Sequence, residues 1–219
     1  MSGDLPPGSS LPPIRELMDR FNAASATVRA AQRALRDEGF LVSRAGLAVF
    51  VRHRSPLVVR AATYFPPEPG RWSYELIQVA DISNPPAQIA EALHLVGNAL
   101  LRKRLGRYDG EPAEINWSYY PKNIFDGTAL AEQGKIKGGA PAVFASCGYP
   151  QRSFTDIVST RMPTSEEIEL LKMSPDVPVL RQFRVIHSDN KRPIEATIIV
   201  QAGNRYEMLY EQEIPGGAD

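Results

Sequence analysis

The stretch LPPIRELMDRFNAASATVRAAQRALRDEGFLVSRAGLAVFVRHR, residues 11–54, decides the fold of the N-terminal part of this chain. Four apolar residues recur at i, i+3, i+4 and i+7, the spacing of one helix face: Ile14, Leu17, Met18 and Phe21. Pro12 and Pro13 suit the first turn of such a helix, and Asn22 suits the left-handed conformation that ends one. The stretch is therefore expected to begin with a short amphipathic helix.

A second helix is predicted to begin near Ala24–Ser25, with Ser25 as its cap, and to end at Gly39. Its inward face is expected to carry three apolar residues: Val28, Ala31 and Leu35. Its other face carries mostly polar residues: Thr27, Arg29, Arg33 and Arg36. The turn between the two helices is only a few residues long, as a helix-turn-helix requires.

A hairpin follows the second helix. Phe40–Ser43 and Ala48–Val51 have strand character, and the bend between them contains Arg44 and Gly46. Helix, tight turn, arginine-bearing helix and hairpin is the order of a winged helix-turn-helix, so Arg44 is a candidate for a phosphate or minor-groove contact. Gly46 would let the backbone turn sharply or approach a phosphate. The alternative interpretation is a small helical subdomain whose arginines are merely solvated.

The charge distribution is consistent with a nucleic-acid-binding N-terminal part. The 219 residues have a formal net charge of zero, but residues 1–54 contain eight arginines and no lysine against five acidic residues. Residues 55–219 therefore carry three more negative than positive charges. This mild asymmetry favours a basic recognition module attached to a more acidic regulatory body.

Several classes of protein are disfavoured by the sequence. The single cysteine, Cys147, excludes an intramolecular disulfide and a cysteine-based zinc site, and the three histidines share no ligand spacing. There is no run of 18 apolar residues and no signal-peptide pattern near the N-terminus. We therefore expect a cytoplasmic protein with no metal, no cofactor, no catalytic residues and no membrane partner.

The N-terminal motifs resemble the GntR family of bacterial transcription regulators. The resemblance covers about 40 residues and rests on four segments: Leu11–Leu17, Ala24–Arg29, Glu38–Leu41 and Gly46–Val51. It implies that Arg15, Thr27 and Arg29 match positions that touch DNA phosphates or bases and that Gly46 matches the tip of the wing. Together with Ser25 and Arg44, these residues form the predicted DNA-binding set.

The same segment departs from the family pattern in two ways. Ala24-Ser25 stands where the family has Ser-Arg, which removes an arginine that commonly reads guanine. We therefore expect an unusual operator or weaker binding. The family's winged domain also begins with a helix of about 15 residues ahead of the Leu11 segment, and residues 1–10 cannot form it. We expect a start codon assigned too late, or a truncated module that exposes part of its small core.

The C-terminal body reads as a mostly antiparallel α+β domain. Seven strands are predicted: Glu75–Val79, Leu100–Tyr108, Glu114–Tyr120, Phe154–Arg161, Val179–His187, Ile194–Gln201 and Tyr206–Glu213. Helices are predicted at Pro86–Leu93, Ile124–Gln133 and Ser165–Leu171, the last with a capping box of Thr164 and Glu167. Asp109-Gly110 is predicted to join two strands as a tight hairpin turn. The proline-rich segment 55–73, with a candidate strand at Leu57–Tyr64, is interpreted as a linker.

This body resembles the UTRA effector-sensing domain of the HutC subgroup of GntR regulators, which has the chorismate-lyase fold. The motifs are Arg104–Pro112, Ser118–Pro121, Pro193–Thr197 and Gly203–Tyr206. The predicted organisation is a winged helix-turn-helix at 1–54 that lacks the family's first helix, a linker at 55–73 and a UTRA-type domain at 74–215.

A ligand pocket is expected in the C-terminal domain. Arg104 would hold an anionic group through two hydrogen bonds, and Glu195 would accept one from a hydroxyl or amine. The other predicted lining residues are Ser118, Tyr120 and Arg205. The alternative is structural: Arg104 pairs with a carboxylate, and Glu195 pairs with Arg205.

Two departures in the effector domain bear on the ligand. Subgroup members that bind sugar phosphates often have Arg-x-Arg where this chain has Arg104-Leu105-Gly106, and an acidic residue is expected where Asn116 stands. These differences disfavour a standard phosphosugar as the effector. A carboxylate or an uncharged metabolite is expected as the effector just as readily.

Three functions remain. The first is a DNA-binding regulator, expected to be a repressor, whose homodimer binds a palindromic duplex operator under the control of a small-molecule effector, with an anionic compound among the candidates. The second is a ligand-binding module with a vestigial DNA-binding half. The third is an enzyme of the chorismate-lyase type, which the fold would permit but which lacks a convincing acid–base or nucleophile–base arrangement.

Overall fold

The computed structural model describes residues 5–43, 48–52, 57–60 and 70–211. Within these ranges the chain forms an N-terminal module of helices and a hairpin, followed by an α+β domain built on an antiparallel sheet. This is the predicted fold class. Among the described helices, none combines the length and the apolar character that crossing a membrane requires.

The two predicted N-terminal helices are present. Helix α1 spans Ile14–Phe21 and ends at Asn22, whose φ of 46° is the predicted left-handed conformation. Helix α2 spans Ser25–Asp37. The predicted cap of α2 is wrong, because Ala24 is the N-cap residue and makes no side-chain capping bond, while Ser25 is already the first helical residue. The small core of the module contains Leu17, Val28 and Leu41.

The predicted hairpin is also present. Strand β1 (Leu41–Ser43) pairs antiparallel with β2 (Val49–Val51). The sequence did not indicate a third partner: the segment from Gly8 to Leu11 runs along β2, with the Leu11 amide donating to the Val49 carbonyl at 2.6 Å. Extended backbone ahead of α1 thus completes the edge of the wing.

Apolar side chains of the two helices remain exposed. Phe21 is 66% exposed and Leu35 is 39% exposed. Ala31 is exposed as well, so the prediction that Ala31 and Leu35 face inward is wrong. Partial exposure of the module's core was expected from the sequence. The described residues of α1 and α2 therefore pack together over a narrow seam around Leu17 and Val28.

The C-terminal domain is a six-stranded antiparallel sheet in the order β4-β5-β6-β9-β8-β7. Its strands are β4 Trp72–Ile82, β5 Ala99–Tyr108, β6 Glu111–Pro121, β7 Ser153–Arg161, β8 Val179–His187 and β9 Pro193–Ala202. The β5–β6 hairpin turns at Asp109-Gly110, where both residues have positive φ. Two further strands, β3 (Leu57–Arg60) and β10 (Tyr206–Leu209), pair in parallel, so the segment predicted to be a linker includes a strand that contacts the end of the domain.

Four helices accompany the sheet: α3 Ala87–Ala92, α4 Lys122–Phe125, α5 Gly139–Ser146 and α6 Ser165–Leu171. The capping box of α6 is confirmed, because the Thr164 and Glu167 side chains each bond the other's backbone. The helix predicted at Ile124–Gln133 is wrong in extent: α4 ends at Phe125. Helix α5 was not predicted, since its sequence GAPAVFAS contains proline and glycine and has no polar face.

The two faces of the sheet differ in chemistry. One face packs apolar side chains such as Leu101, Tyr119 and Phe183 against α3, and residues such as Ile115 against α6. The opposite face is rich in polar residues along β5, β6, β9 and β8, with an apolar cluster under α4 and α5 at one end. Alternation along each strand explains this separation, because successive side chains point to opposite faces.

Candidate DNA interface and effector site

The predicted DNA-binding residues that the structure describes lie on α1 and α2. Thr27 and Arg29 are exposed in the N-terminal half of α2, and Arg15 is exposed on α1. The Arg29 Nε donates a long hydrogen bond of 3.4 Å to the Ser25 hydroxyl, so these two side chains share one helix face. Arg44 and Gly46 lie outside the described residues.

Four of the five predicted effector residues come together on the polar face of the sheet. The Arg104 Nη2 donates to the Ser118 hydroxyl at 2.8 Å, across the β5–β6 pair. The Ser118 oxygen lies 2.8 Å from the Thr197 hydroxyl on β9, which donates to the Glu195 carboxylate. A continuous chain of polar contacts therefore connects the cation on β5 with the carboxylate on β9.

Burial changes the acid–base character of this cluster. It raises the pKa of Glu195 above its ordinary value, although bonds from Thr197 and the nearby Arg104 charge oppose the rise. It also raises the pKa of the Tyr120 hydroxyl, and the neighbouring Glu195 adds to that effect. The site thus presents a desolvated carboxyl group and a neutral phenol beside one guanidinium group.

Arg102 lies two residues before Arg104 on the same face, but it binds backbone carbonyls instead of the polar cluster. Its guanidinium donates to the backbone carbonyls of four residues in the loop between α4 and α5: Ala129, Leu130, Glu132 and Gly134. It therefore fixes that loop against the sheet. Sequence analysis missed this role, because the position of a loop that folds over a sheet is not readable from local pattern.

A second polar cluster occupies the position of the arginine that is missing from the Arg-x-Arg pattern. Glu114 accepts hydrogen bonds from Tyr74 (3.1 Å), Asn116 (2.9 Å) and Gln201 (3.0 Å). A Cβ atom at Gly106 would lie only 2.7 Å from Glu114 Cγ. A carboxylate thus fills the space that a larger residue at position 106 would require.

A buried ion pair completes the polar face. Arg184 Nε and Nη2 donate to the two oxygens of Asp156 at 2.8 and 2.7 Å, and Gln182 donates to the same carboxylate at 2.8 Å. The Arg184 guanidinium also covers the Phe154 ring, 4.0 Å from its centroid. Alternation along β7 and β8 was the available signal for this pair, since both residues lie on the face that carries Glu195.

Arg205 does not join the effector cluster, so its predicted place in that pocket is wrong. It follows the turn after β9 and donates weakly to the carbonyls of Pro112 (3.3 Å) and Lys172 (3.4 Å). The cleft that it lines also contains Arg36 and Arg52 of the N-terminal module. The chain reverses at residues 203–205, and this carries Arg205 away from the polar face despite its closeness in sequence to β9.

Thr197 is a member of the polar cluster that was not among the predicted effector residues. It is two residues after Glu195, and therefore on the same face of β9, and it pairs in register with Ser118. Its position within the Pro193–Thr197 motif was the signal that could have identified it.

Within the described residues, no group of histidine, cysteine or acidic side chains is arranged to hold a metal ion. The chain of contacts on the polar face consists instead of the Arg104 guanidinium, the Ser118 and Thr197 hydroxyls and the Glu195 carboxylate.

Comparisons with known proteins match both parts of the chain. Residues 1–51 match the bacterial regulatory proteins of the gntR family, and residues 70–207 match the UTRA domain. The chain is 28% identical over 240 residues to an HTH-type transcriptional regulator of Streptomyces coelicolor, covering 99% of this chain and 89% of that protein. It is 26% identical over 217 residues to the HTH-type transcriptional regulator GgaR of Escherichia coli, covering 96% and 85% of the two chains.

A solved structure confirms the fold. The crystal structure of PhnF from Mycobacterium smegmatis superposes with a TM-score of 0.64 at 20% identity, covering 96% of this chain and 94% of that one. Together with the two domain matches, the fold and the helix-turn-helix establish what the chain is. It belongs to the HutC subgroup of the GntR family, the transcriptional regulators that combine a helix-turn-helix with a UTRA effector-binding domain.

Proposed function

We propose that the protein is a cytoplasmic, homodimeric repressor whose operator affinity is set by a small molecule bound on the polar face of the UTRA domain. The observation that carries this proposal is the chain of contacts from Arg104 through Ser118 and Thr197 to Glu195. A buried polar group without a hydrogen-bond partner destabilises the fold. A ligand that replaces some of these contacts therefore changes the free energy of the sheet directly.

The DNA side of the proposal rests on α2. We assign Ser25, Thr27 and Arg29 in its first half to the major groove, and Arg15, Arg44 and Gly46 to the backbone and the wing. In a homodimer two such helices would meet successive major grooves about 34 Å apart, which requires a palindromic operator.

The charges of the site define the effector class. We assign Arg104 to an anionic group of the effector, whereas Glu195 and Glu114 are acceptors for hydroxyl or amine donors. Gly106 and Glu114 leave no room for a second arginine there. We therefore infer an effector with a single carboxylate-like anionic group and at least one donor group, rather than a phosphosugar.

Ligand entry requires part of the site to open. Ser118, Tyr120 and Glu195 are each buried, and Arg102 holds the loop from Ala129 to Gly134 against the same face. We assign the opening movement to this loop, which is held by the Arg102 guanidinium group and by the burial of Leu130 in the apolar cluster. A ligand that favours either arrangement shifts the population of the regulator.

The test of effector binding is thermal unfolding of the full chain against a panel of small carboxylates, amino acids and sugar phosphates. A compound of the inferred class should raise the Tm of the wild type, and Arg104→Gln should abolish that rise. Arg152→Gln is the matched control, because Arg152 forms an exposed ion pair with Asp189. A rise with sugar phosphates alone would contradict the inferred class.

A further inference from the structure

A cleft of about 500 Å³ lies between the N-terminal module and the UTRA domain. Residues of α2, β1 and the end of the wing form one wall, and residues that follow α6 and β9 form the other. Five basic side chains line it: Arg33, Arg36, Arg52, Lys172 and Arg205. Its volume is in the range of small-molecule sites, about 300–1,000 Å³.

The lining carries an excess of positive charge. Among the residues that the structure describes, two acidic side chains, Asp37 and Asp176, line the cleft against the five basic ones. Low-dielectric walls that carry one sign of charge concentrate the field and attract ions of the opposite sign. The composition therefore favours an anion over a neutral or cationic ligand.

The Arg205 guanidinium group has a buried donor atom with no acceptor in the described part of the chain. Its Nε is buried and has no hydrogen-bond partner among the described residues. Its other nitrogens reach only the Pro112 and Lys172 carbonyls, at 3.3 and 3.4 Å. A buried guanidinium N–H without an acceptor is unfavourable, and a bound anion would supply that acceptor.

Arg52 adds a second positive charge near Arg205 in the cleft. Burial lowers its pKa to about 10, with the Arg205 charge contributing and Glu111 opposing. Burial also lowers the pKa of Arg205. Two partly buried guanidinium groups that repel each other across a domain boundary are stabilised together when an anion binds between them.

We propose that this cleft is a second ligand site, separate from the effector site, which binds a small polyanion with two or more phosphate groups. Guanidinium groups hold phosphate oxygens through paired, charge-assisted hydrogen bonds. The cleft has walls from both domains, and its volume suits a molecule of nucleotide size rather than a duplex. Phosphate groups of a metabolite, and not those of operator DNA, are therefore its ligands.

The position of the site gives it a regulatory consequence. Arg33 and Arg36 are in the second half of α2, and the proposed DNA contacts Thr27 and Arg29 are in its first half. A polyanion held by α2 and by Arg205 would fix the recognition helix against the UTRA domain. Binding at the cleft should therefore change operator affinity without occupying the polar face of the sheet.

The test is isothermal titration of the full chain with inorganic pyrophosphate at constant ionic strength. We expect a dissociation constant below about 100 μM. Arg205→Gln and Arg36→Gln should each weaken it at least about tenfold, since each removes a charged hydrogen-bond donor. Arg36 is exposed, so its variant keeps the test valid if the Arg205 variant does not fold. The control variant is Arg152→Gln, which should bind as the wild type does.

A second arm separates metabolite phosphate from DNA phosphate. Binding of a random-sequence duplex should be unchanged in Arg205→Gln when pyrophosphate is absent. Loss of duplex affinity in that variant would overturn the proposal by assigning the cleft to DNA. Absence of pyrophosphate binding, or binding that neither variant weakens, would also overturn it.

Discussion

The Asn204 side-chain amide donates a hydrogen bond of 3.1 Å to the backbone carbonyl of Asp37, the last residue of the recognition helix. Asn204 lies in the turn after β9, and the β9 residue Gln201 donates a hydrogen bond to Glu114 on the polar face. The UTRA sheet and the recognition helix are therefore in contact through a short, specific connection. Any rearrangement of β9 that follows effector binding has this route to α2.

Gly39 is predicted to be intolerant of a side chain because of that contact. Its φ is +79°, and a Cβ atom there would lie 2.9 Å from the Asn204 amide nitrogen. Gly39→Ala should lower the free energy of unfolding by about 1 kcal/mol through the positive φ alone, and by more through the displaced contact. Urea denaturation of the full chain measures the loss.

Gly110→Ala is the matched control for Gly39→Ala. Its φ is +81°, but nothing lies within 4 Å of the position of its Cβ atom. The difference between the two variants isolates the contact with Asn204. Equal destabilisation by both substitutions would mean that the contact contributes nothing measurable.

Arg29 is predicted to contribute to DNA affinity. Arg29→Ala should weaken binding and reduce the slope of log affinity against log salt by about 0.9 if Arg29 neutralises one phosphate. If it reads a base instead, the loss should be about 1–3 kcal/mol for the specific site only. Fluorescence anisotropy over a range of salt distinguishes these outcomes, and an unchanged affinity would remove Arg29 from the interface.

The pH dependence of stability should report Glu195. Its folded-state pKa is raised above the ordinary value of 4.5, so the stability linked to its protonation is fully present below that value. That stability is lost as the pH rises through the folded-state pKa. Glu195→Gln should therefore be more stable than the wild type near neutral pH, with the difference shrinking as the pH falls toward 4.5.

Thermal unfolding between pH 4.5 and 8 measures the Glu195 effect. An increase of 1 kcal/mol in unfolding free energy raises Tm by about 2–4 °C for a chain of this size. Glu169→Gln is the control, because Glu169 is exposed on α6. If Glu195→Gln is less stable than the wild type at neutral pH, the neighbours of the charged carboxylate stabilise it by more than burial destabilises it, which would contradict this prediction.

The buried pair of Arg184 and Asp156 is predicted to be the most sensitive ionic contact of the domain. Their side chains are only 7% and 11% exposed. Asp156→Ala should lower the free energy of unfolding by about 3–5 kcal/mol, because it leaves a buried guanidinium without that carboxylate. Chemical denaturation checks this value.

The exposed pair of Arg152 and Asp189 provides the comparison for Asp156→Ala. Both side chains are more than half exposed, so Asp189→Ala should cost no more than about 1 kcal/mol. Similar losses from the two substitutions would contradict the assignment of Asp156 to a buried network.

The strands at the centre of the sheet were predictable because of their alternation. The predicted bounds of the strand at Val179–His187 agree with β8, and those of β5, β6, β7 and β9 differ by one to three residues at an end. Helix α5 was not predictable in the same way, since its helicity depends on packing of Val143 and Phe144 against Phe125 and Tyr120. The conformation of such a segment depends on tertiary burial and not on local helix propensity.

The clustering of Arg104, Ser118 and Glu195 was predictable because these residues alternate on neighbouring strands. Arg205 was misplaced because a turn separates it from β9, and a sequence pattern does not give the direction of a chain after a turn. The partners of Arg102 were equally inaccessible, because they are backbone carbonyls of a loop. Contacts between residues far apart in sequence could therefore not be predicted without the structure.

The most direct test of the central claim is fluorescence anisotropy of the full chain with duplex DNA from its own upstream intergenic region, measured against scrambled DNA over a range of salt. We predict affinity that prefers the upstream duplex, falls steeply with salt and is weakened in Arg29→Ala. Equal and salt-insensitive affinity for both duplexes would contradict the account and would favour a ligand-binding module with a vestigial DNA-binding half.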